Sequence, residues 1–339
     1  MLTAGAAKLI ILNMFNIERD KACLRIVIPG GSGQVGRVLA QHFHTRGHSV
    51  TVLARSVYSA PWHVLQWDGK TLGKWTEAID GTDVVINLAG RSVNCRYTPA
   101  NRREIKDSRV LSTAVIGLAI AQAAHPPAIW MNASTATIYR HALDRPMDEA
   151  TGELGGDEPG APSTWNFSID VAKSWEETFF TANTPHTRKI ALRSAMTMSP
   201  ASNGIFGTLL RLVRMRLGGA AGSGKQFISW IHEEDFLRAI EFLIENKKMD
   251  GCVNLCSPNP LPNREFMRAL RSAWGTQIRL SAAEWMLTIG AFLMRTETEL
   301  MLKSRRVVPS RLLKEGFAFS FPEWPEAATD LVRRWRQVS

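Results

Sequence analysis

One stretch constrains this chain more than any other: Leu24-Arg-Ile-Val-Ile-Pro-Gly-Gly-Ser-Gly-Gln-Val-Gly36. It reads as a strand that turns through glycines into a helix. Gly31, Gly33 and Gly36 satisfy G-x-G-x-x-G, and Gly30, Gly33 and Gly36 satisfy G-x-x-G-x-x-G. Glycines let the backbone turn tightly and approach a pyrophosphate, whose charge then meets the positive end of the helix. The spacing alone arises by chance in glycine-rich loops, but its surroundings do not. The β-branched run Ile26, Val27, Ile28 precedes it, and the amphipathic segment Val35 to Phe43 follows, closed by Gly47. Gly30, Gly31, Ser32, Gly33, Gln34, Val35, Gly36 and Arg37 therefore form the expected phosphate cradle of a dinucleotide.

Strand-like and helix-like segments alternate through the first 200 residues, which predicts an α/β fold, a parallel sheet with helices on both faces. Strands are predicted at 24–29, 49–54, 63–67, 83–88, 128–133 and 188–193, and helices at 34–46, 73–79, 100–124 and 166–182. The runs Asp83 to Leu88 and Ala128 to Ala133 read as buried central strands, ending where the carboxyl edge of such a sheet forms its ligand crevice. Asp148 to Ser163, with four glycines and two prolines, is expected to be a mobile flap over the site. Gly218 to Gly224 has neither a preceding strand nor a following Lys-Ser/Thr pair, so it is not read as a second phosphate loop.

A net charge of +10 invites a polyanion partner, but the basic residues are dispersed. The clusters at Arg102-Arg103, at Arg211, Arg214 and Arg216, at Lys303, Arg305 and Arg306, and at Arg333, Arg334 and Arg336 read as solvated helix faces. They lack the aromatic interleaving of a nucleic-acid surface. Four cysteines (Cys23, Cys95, Cys252, Cys256) do not make a disulfide framework, and no second Cys or His pair completes a zinc site. Reduced thiols in a cytoplasmic protein are expected. The apolar runs Leu9 to Phe15 and Trp285 to Met294 are too short to span a membrane. The first is read as part of a loose extension over residues 1–23, or as sequence upstream of a start at Met14; the second is read as a core helix.

NAD-specific folds end their second strand in an acidic residue that accepts bonds from the ribose hydroxyls. Here Ser49 to Ala54 is followed by Arg55-Ser56, with no carboxylate between residues 49 and 67. A guanidinium grips a 2′-phosphate that a carboxylate would repel. Arg55, with Arg37 as a second positive charge, favours NADP over NAD. Asp68, at the end of the third strand, is placed to bond an adenine amine or to cap a turn.

Taken together, these residues resemble the extended short-chain dehydrogenase/reductase superfamily, and within it the "epimerase family" branch that carries a C-terminal module of unknown function. The resemblance rests on Gly30 to Arg37, Asn87-Leu-Ala-Gly90, Ile105-Lys-Asp-Ser-Arg109, Asn132 to Tyr139, Ser229-Trp-Ile-His-Glu-Glu-Asp235 and Ser304 to Phe317, and runs from about Leu24 to the C-terminus. It implies a Rossmann-type doubly wound sheet of about seven parallel strands over residues 24–200, with a smaller α+β substrate domain over 201–339. Residues 227–247 are expected to pack back on the sheet. It also implies a bound NADP, with Leu88, Ala89, Gly90, Ser134 and Lys173 joining the cofactor contacts. A small-molecule substrate is expected, with the C-terminal helices open to use as a homodimer contact or as a lid.

The superfamily's usual engine is Ser/Thr with Tyr-x-x-x-Lys. Lysine and the nicotinamide charge depress the tyrosine pKa, so a phenolate exchanges a proton while hydride moves. Thr135 falls at the hydroxyl position and Lys173 matches the lysine, but the tyrosine position is Ile169. The chain has three tyrosines, Tyr58, Tyr97 and Tyr139, and four residues after them stand Trp62, Asn101 and Leu143, so no Tyr-x-x-x-Lys exists. Arg109 stands near where many members place a helix asparagine in a proton relay. Tyr139, with Thr135 and Lys173, is carried as a catalytic candidate, the alternative being a structural aromatic. His232 is read as structural, and Asp235 as a cap or anchor of the helix that follows. Related sugar-nucleotide enzymes carry an arginine four residues before that histidine; here the position is Ile228, leaving Arg211, Arg214 or Lys225 as substitutes. Two readings stay open: an atypical NADP-dependent oxidoreductase or epimerase, and a non-catalytic NADP(H)-binding protein.

Overall fold

In the computed structural model, the structure describes residues 23–156, 158, 162–201, 204–276 and 299–338. The expected core helix around Trp285 to Met294 and the extension up to residue 22 lie outside the described residues.

The chain opens with β1 (Arg25–Pro29), α1 (Gln34–Thr45), β2 (Ser49–Ala54), β3 (His63–Gln66) and β4 (Val84–Asn87). It continues through α2 (Pro99–Gln122), β5 (Ile129–Thr135), α3 (Ser163–Thr181) and β6 (Arg188–Ser194). The segment expected as a helix at 73–79 is a tighter 3₁₀ turn over Lys74–Ala78. The long helix α2 begins where the sequence says it should. The Thr98 hydroxyl accepts the Asn101 N–H at 3.2 Å, and Pro99 fills the first turn, where an N–H would lack a partner.

The pieces β7 (Met196–Met198), α4 (Ile205–Arg214), β8 (Phe227–Ile228), β9 (Trp230–His232), α5 (Glu233–Glu245) and β10 (Gly251–Leu255) come next. Then follow β11 (Leu261–Pro262), α6 (Asn263–Trp274), α7 (Glu299–Leu302), α8 (Ser310–Lys314) and α9 (Trp324–Val338). Seven strands form one sheet in the order β10-β6-β5-β4-β1-β2-β3, with every pairing parallel. The seventh strand, β10, comes from beyond residue 200 and pairs Gly251 to Leu255 with Ile190 to Ser194.

Strand alternation divides the core. Ile26, Ile28, Val84 and Ile86 face one layer, where α1 and α5 bring Leu39, Phe43, Phe236 and Ile240. Val27, Leu53 and Val85 face the other, against Ile116, Ile120 and Phe179 of α2 and α3. A third cluster, built on Trp230, Phe266 and Trp324, joins β9, α6 and α9. The strand order reverses between β1 and β4, and at such a switch point the carboxyl ends of the strands leave a crevice.

Candidate nucleotide-binding crevice

Each glycine of the turn after β1 has its own reason. Gly30 sits at φ +75°, and a Cβ there would come within 2.6 Å of the Ala89 backbone, so the turn packs directly on the loop after β4. A Cβ on Gly36 would lie 2.4 Å from the Gly31 Cα, which only glycine at the start of α1 avoids. Gly33 differs: the nearest protein atom to its added Cβ is the Gly30 carbonyl at 3.7 Å. The protein leaves room above Gly33, at the N-terminus of α1, where no side chain caps the helix and no acidic residue lies in the first turn. A pyrophosphate suits that space and those N–H donors. The cradle therefore fits a dinucleotide.

The loop after β4 is fixed by a buried amide network. Asn87 accepts the Ala89 N–H at 3.0 Å and donates to Asn132 Oδ1 at 2.7 Å, while Trp175 Nε1 donates to the Thr113 hydroxyl at 2.9 Å. Leu88, Ala89 and Gly90 thus stand along the crevice, facing the cradle. Arg37 and Arg55 are both exposed beyond the end of β2. The Arg37 guanidinium lies 4.7 Å over the Tyr58 ring and donates to the Ser32 carbonyl at 3.0 Å. Asp68 closes a turn by accepting the N–H groups of Lys70 and Thr71 and the Thr71 hydroxyl, and those bonds, the hydroxyl's first, hold its pKa down at about 2. The turn-capping role is thus made, by a side chain that stays exposed.

Thr135, at the end of β5, accepts the Thr137 N–H at 3.1 Å, which leaves its own hydroxyl hydrogen to donate. Its neighbour points the other way, into the interior. The Ser134 hydroxyl donates to Glu176 Oε1 at 2.5 Å, so this side chain is withdrawn from the cofactor contact expected of it. Glu176 in turn is gripped by Arg193 through Nε at 2.8 Å and Nη2 at 2.7 Å.

Tyr139 belongs to the same network and leaves the catalytic set. Its hydroxyl accepts from Arg193 Nη1 at 2.9 Å and donates to Asn254 Oδ1 at 3.0 Å. The ring is 2% exposed, and burial pushes the phenol pKa up to about 12. No face remains for a substrate. Its position at the sheet edge suggests chemistry, but one buried donor and one buried acceptor occupy its hydroxyl.

Lys173 is exposed on α3, with Nζ 3.4 Å from where a Cβ on Gly156 would stand. Ile169, one turn earlier, is 1% exposed and roofed by Gly155, whose added Cβ would come within 2.7 Å of the Ile169 Cδ1. The position that carries the tyrosine in related enzymes is therefore both apolar and covered. The covering segment is the first half of the stretch read as a flap, and it is bonded at two points to the loop after β5: Gly155 N–H donates to the Ile138 carbonyl, and the Glu153 carbonyl accepts the Arg140 N–H.

The Lys303–Arg306 cluster is not the solvated face its charges suggested. Lys303 is 2% exposed, its ammonium donates to the Thr137 carbonyl at 3.0 Å, and burial, with Arg305 adding to it, brings its pKa down to about 8. Arg305 Nε donates to the Thr137 hydroxyl at 3.0 Å. These two cations clamp the exit loop of β5, two residues past Thr135. His232 is structural: it caps α5 through Nδ1, stacks on Phe321 at 4.0 Å, and has its pKa lowered to about 4 by burial. Asp235 anchors the C-terminal strap by accepting the Ser320 and Phe321 N–H groups. Among the described residues, no group of three or more His, Cys, Asp or Glu could hold a metal, and no helix is long and apolar enough to cross a membrane.

The profile of the NAD dependent epimerase/dehydratase family matches residues 26–163, and that of a domain of unknown function (DUF1731) matches residues 282–331. The epimerase family protein SDR39U1 of Bos taurus is 31% identical over 317 residues, covering 91% of this chain and 100% of its own length. The chain belongs to the epimerase family. The epimerase family protein MT2273 of Mycobacterium tuberculosis is 30% identical, covering 87% of this chain and 93% of its own. The crystal structure of human epimerase family protein SDR39U1 (isoform 2) with NADPH superposes with a TM-score of 0.80 at 26% identity, covering 91% of this chain and 99% of that one. This member of the family keeps the Rossmann-type sheet and the smaller C-terminal region. The block around Lys303 lies across the exit loop of β5, and the block around His232 holds the strap at Ser320 and Phe321.

The residues that sequence reasoning missed are Glu176 and Arg193. The signal was a carboxylate on an otherwise apolar helix face: Trp165, Ile169, Ala172 and Glu176 share one side of α3.

Proposed function

We propose that this chain binds NADP(H) in the crevice between the Gly30–Gly36 turn and the Leu88–Gly90 loop, and acts as an oxidoreductase or epimerase on a small molecule. One observation carries the reading. The end of the crevice beyond β2 presents Arg37 and Arg55, neither paired with a carboxylate among the described residues, and no acidic side chain stands there to hold an unphosphorylated ribose. The NADPH bound in the human relative supports the same cofactor.

When bound, the nicotinamide supplies or accepts hydride. Thr135 donates its hydroxyl hydrogen to the substrate oxygen, and Lys173 orients ribose and substrate on the α3 side. With Ile169 buried and Tyr139 locked, the proton comes from a group other than a positioned tyrosine. The test is deuterium transfer from [4-²H]NADPH to a panel of carbonyl compounds, read by mass spectrometry of the products. Transfer to one compound, reduced by about 10²-fold in Thr135→Val, supports catalysis. Tight NADPH binding without transfer to any of them favours the second reading, a non-catalytic NADP(H)-binding protein. That alternative is favoured by Ile169, which puts no acid/base at the tyrosine position and is covered by Gly155.

A further inference from the structure

Arg109 is a half-buried cation on α2 whose guanidinium is held between two surfaces. On one side Cζ lies 5.1 Å above the Trp175 ring. On the other, a Cβ on Gly90 would come within 3.2 Å of Cζ and 3.5 Å of Nε, so the slot exists because residue 90 has no side chain. One donor, Nη1, is spent within its own helix on the Ile105 carbonyl at 2.8 Å. No carboxylate among the described residues pairs with it, and the charged environment reaching it is limited to the Tyr97 phenol. Burial draws its pKa down to about 10.

The other interior cations around this cleft are compensated. Arg193 has Glu176 in bidentate contact, and Lys303 and Arg305 both feel the carboxylate of Glu299. A desolvated guanidinium without a counter-ion is unfavourable unless a ligand completes it. The Nε–Nη2 edge is the half of the fork that the protein leaves unused, and its spacing matches two oxygens of a carboxylate or phosphate. Gly90, against which the guanidinium lies, is exposed on the loop that follows β4, beside the crevice.

We propose that Arg109, its guanidinium held between Gly90 and Trp175, binds through its Nε–Nη2 edge an oxyanion carried by the substrate, a carboxylate or a phosphate ester. This deepens the proposed function and rests on reading the crevice as the place where substrate meets cofactor. Arg109 is then a specificity-determining residue, and neutral sugars or simple ketones are poor ligands.

Full-length protein is titrated with oxalate and with inorganic phosphate at constant ionic strength, by calorimetry, with and without saturating NADPH. Wild type is compared with Arg109→Gln and Arg109→Lys, each checked for an unchanged circular dichroism spectrum. The expected result is binding of at least one anion to wild type, weakened about tenfold or more in Arg109→Gln and less in Arg109→Lys, with NADPH affinity unchanged. Which anion responds distinguishes a carboxylate from a phosphate substrate. Equal anion affinity in Arg109→Gln, or no anion binding by wild type up to tens of millimolar, overturns the proposal. So does a loss of NADPH affinity in the variant in place of anion affinity, because Arg109 would then serve the cofactor. The nucleotide-free titration keeps the result separate from any failure of the cofactor reading itself.

Discussion

Arg193 and Glu176 form a bidentate pair in the interior between β6 and α3, with N···O distances of 2.8 and 2.7 Å and side chains only 9% and 10% exposed. Ser134 and Tyr139 close the pair from either side. The charged groups nearest the end of β5 are therefore structural.

Removing one partner of that pair is expected to cost far more than removing both. Glu176→Ala strands a buried guanidinium and should lower unfolding free energy by about 3–5 kcal/mol, whereas Glu176→Leu combined with Arg193→Met should recover much of it. Urea unfolding of the three proteins measures the difference. Equal stability of wild type and Glu176→Ala would show that the pair is solvated in solution.

Tyr139→Phe keeps the ring and deletes a hydroxyl with two buried partners. The expected outcome is a loss of about 1–3 kcal/mol in stability and no change in NADPH affinity. If Tyr139 were the proton donor, the variant would instead keep its stability and lose turnover.

The two helix-start glycines should separate folding from binding. Gly36→Ala places a methyl 2.4 Å from the Gly31 backbone and should destabilise the fold by about 2 kcal/mol or more. Gly33→Ala meets no protein atom closer than 3.7 Å, so its melting temperature should hold while NADPH affinity falls about tenfold or more. Thermal melts paired with fluorescence titrations read both effects.

His232 predicts an acid sensitivity. Its pKa falls from 6.5 to about 4 on folding, burial first and Arg334 second, so the unfolded chain binds the extra proton between those values. Stability is then intact above pH 6.5 and is lost as pH falls toward 4, with a slope of at most about 1.4 kcal/mol per pH unit from this group. His232→Asn should flatten the slope between pH 6.5 and 4 by up to one proton. An identical pH profile in the variant would remove His232 from the account.

Ile169→Tyr restores the residue that related enzymes use, but it should not restore their chemistry. The Gly155 backbone covers that position, and the added ring should destabilise by about 1–3 kcal/mol. A stable, more active Ile169→Tyr protein would show that the cover opens.

Much of the sheet is legible in the sequence because its strands are β-branched and buried on both faces: Ser49 to Ala54 is a strand over the same six residues predicted. The β10 strand is not, since Gly-Cys-Val-Asn-Leu is short and carries Asn254, and its burial comes from pairing with β6, far away in sequence. The cradle glycines are readable because each answers a local steric demand. Tyr139 was ambiguous for the opposite reason. Its role is set by Arg193 and Asn254, and no local pattern around residue 139 announces either. Lys303 and Arg305 resemble a surface cluster until the fold lays them across Thr137.

The most direct measurement is a fluorescence titration of nucleotide-free protein with NADPH and with NADH, with NADPH repeated on Arg55→Ala. NADPH is expected to bind tighter than NADH and to be weakened about tenfold in the variant, which corresponds to roughly 1.4 kcal/mol. Binding of neither nucleotide would contradict this expectation, leaving a fold whose cradle is shaped for a dinucleotide that it does not hold.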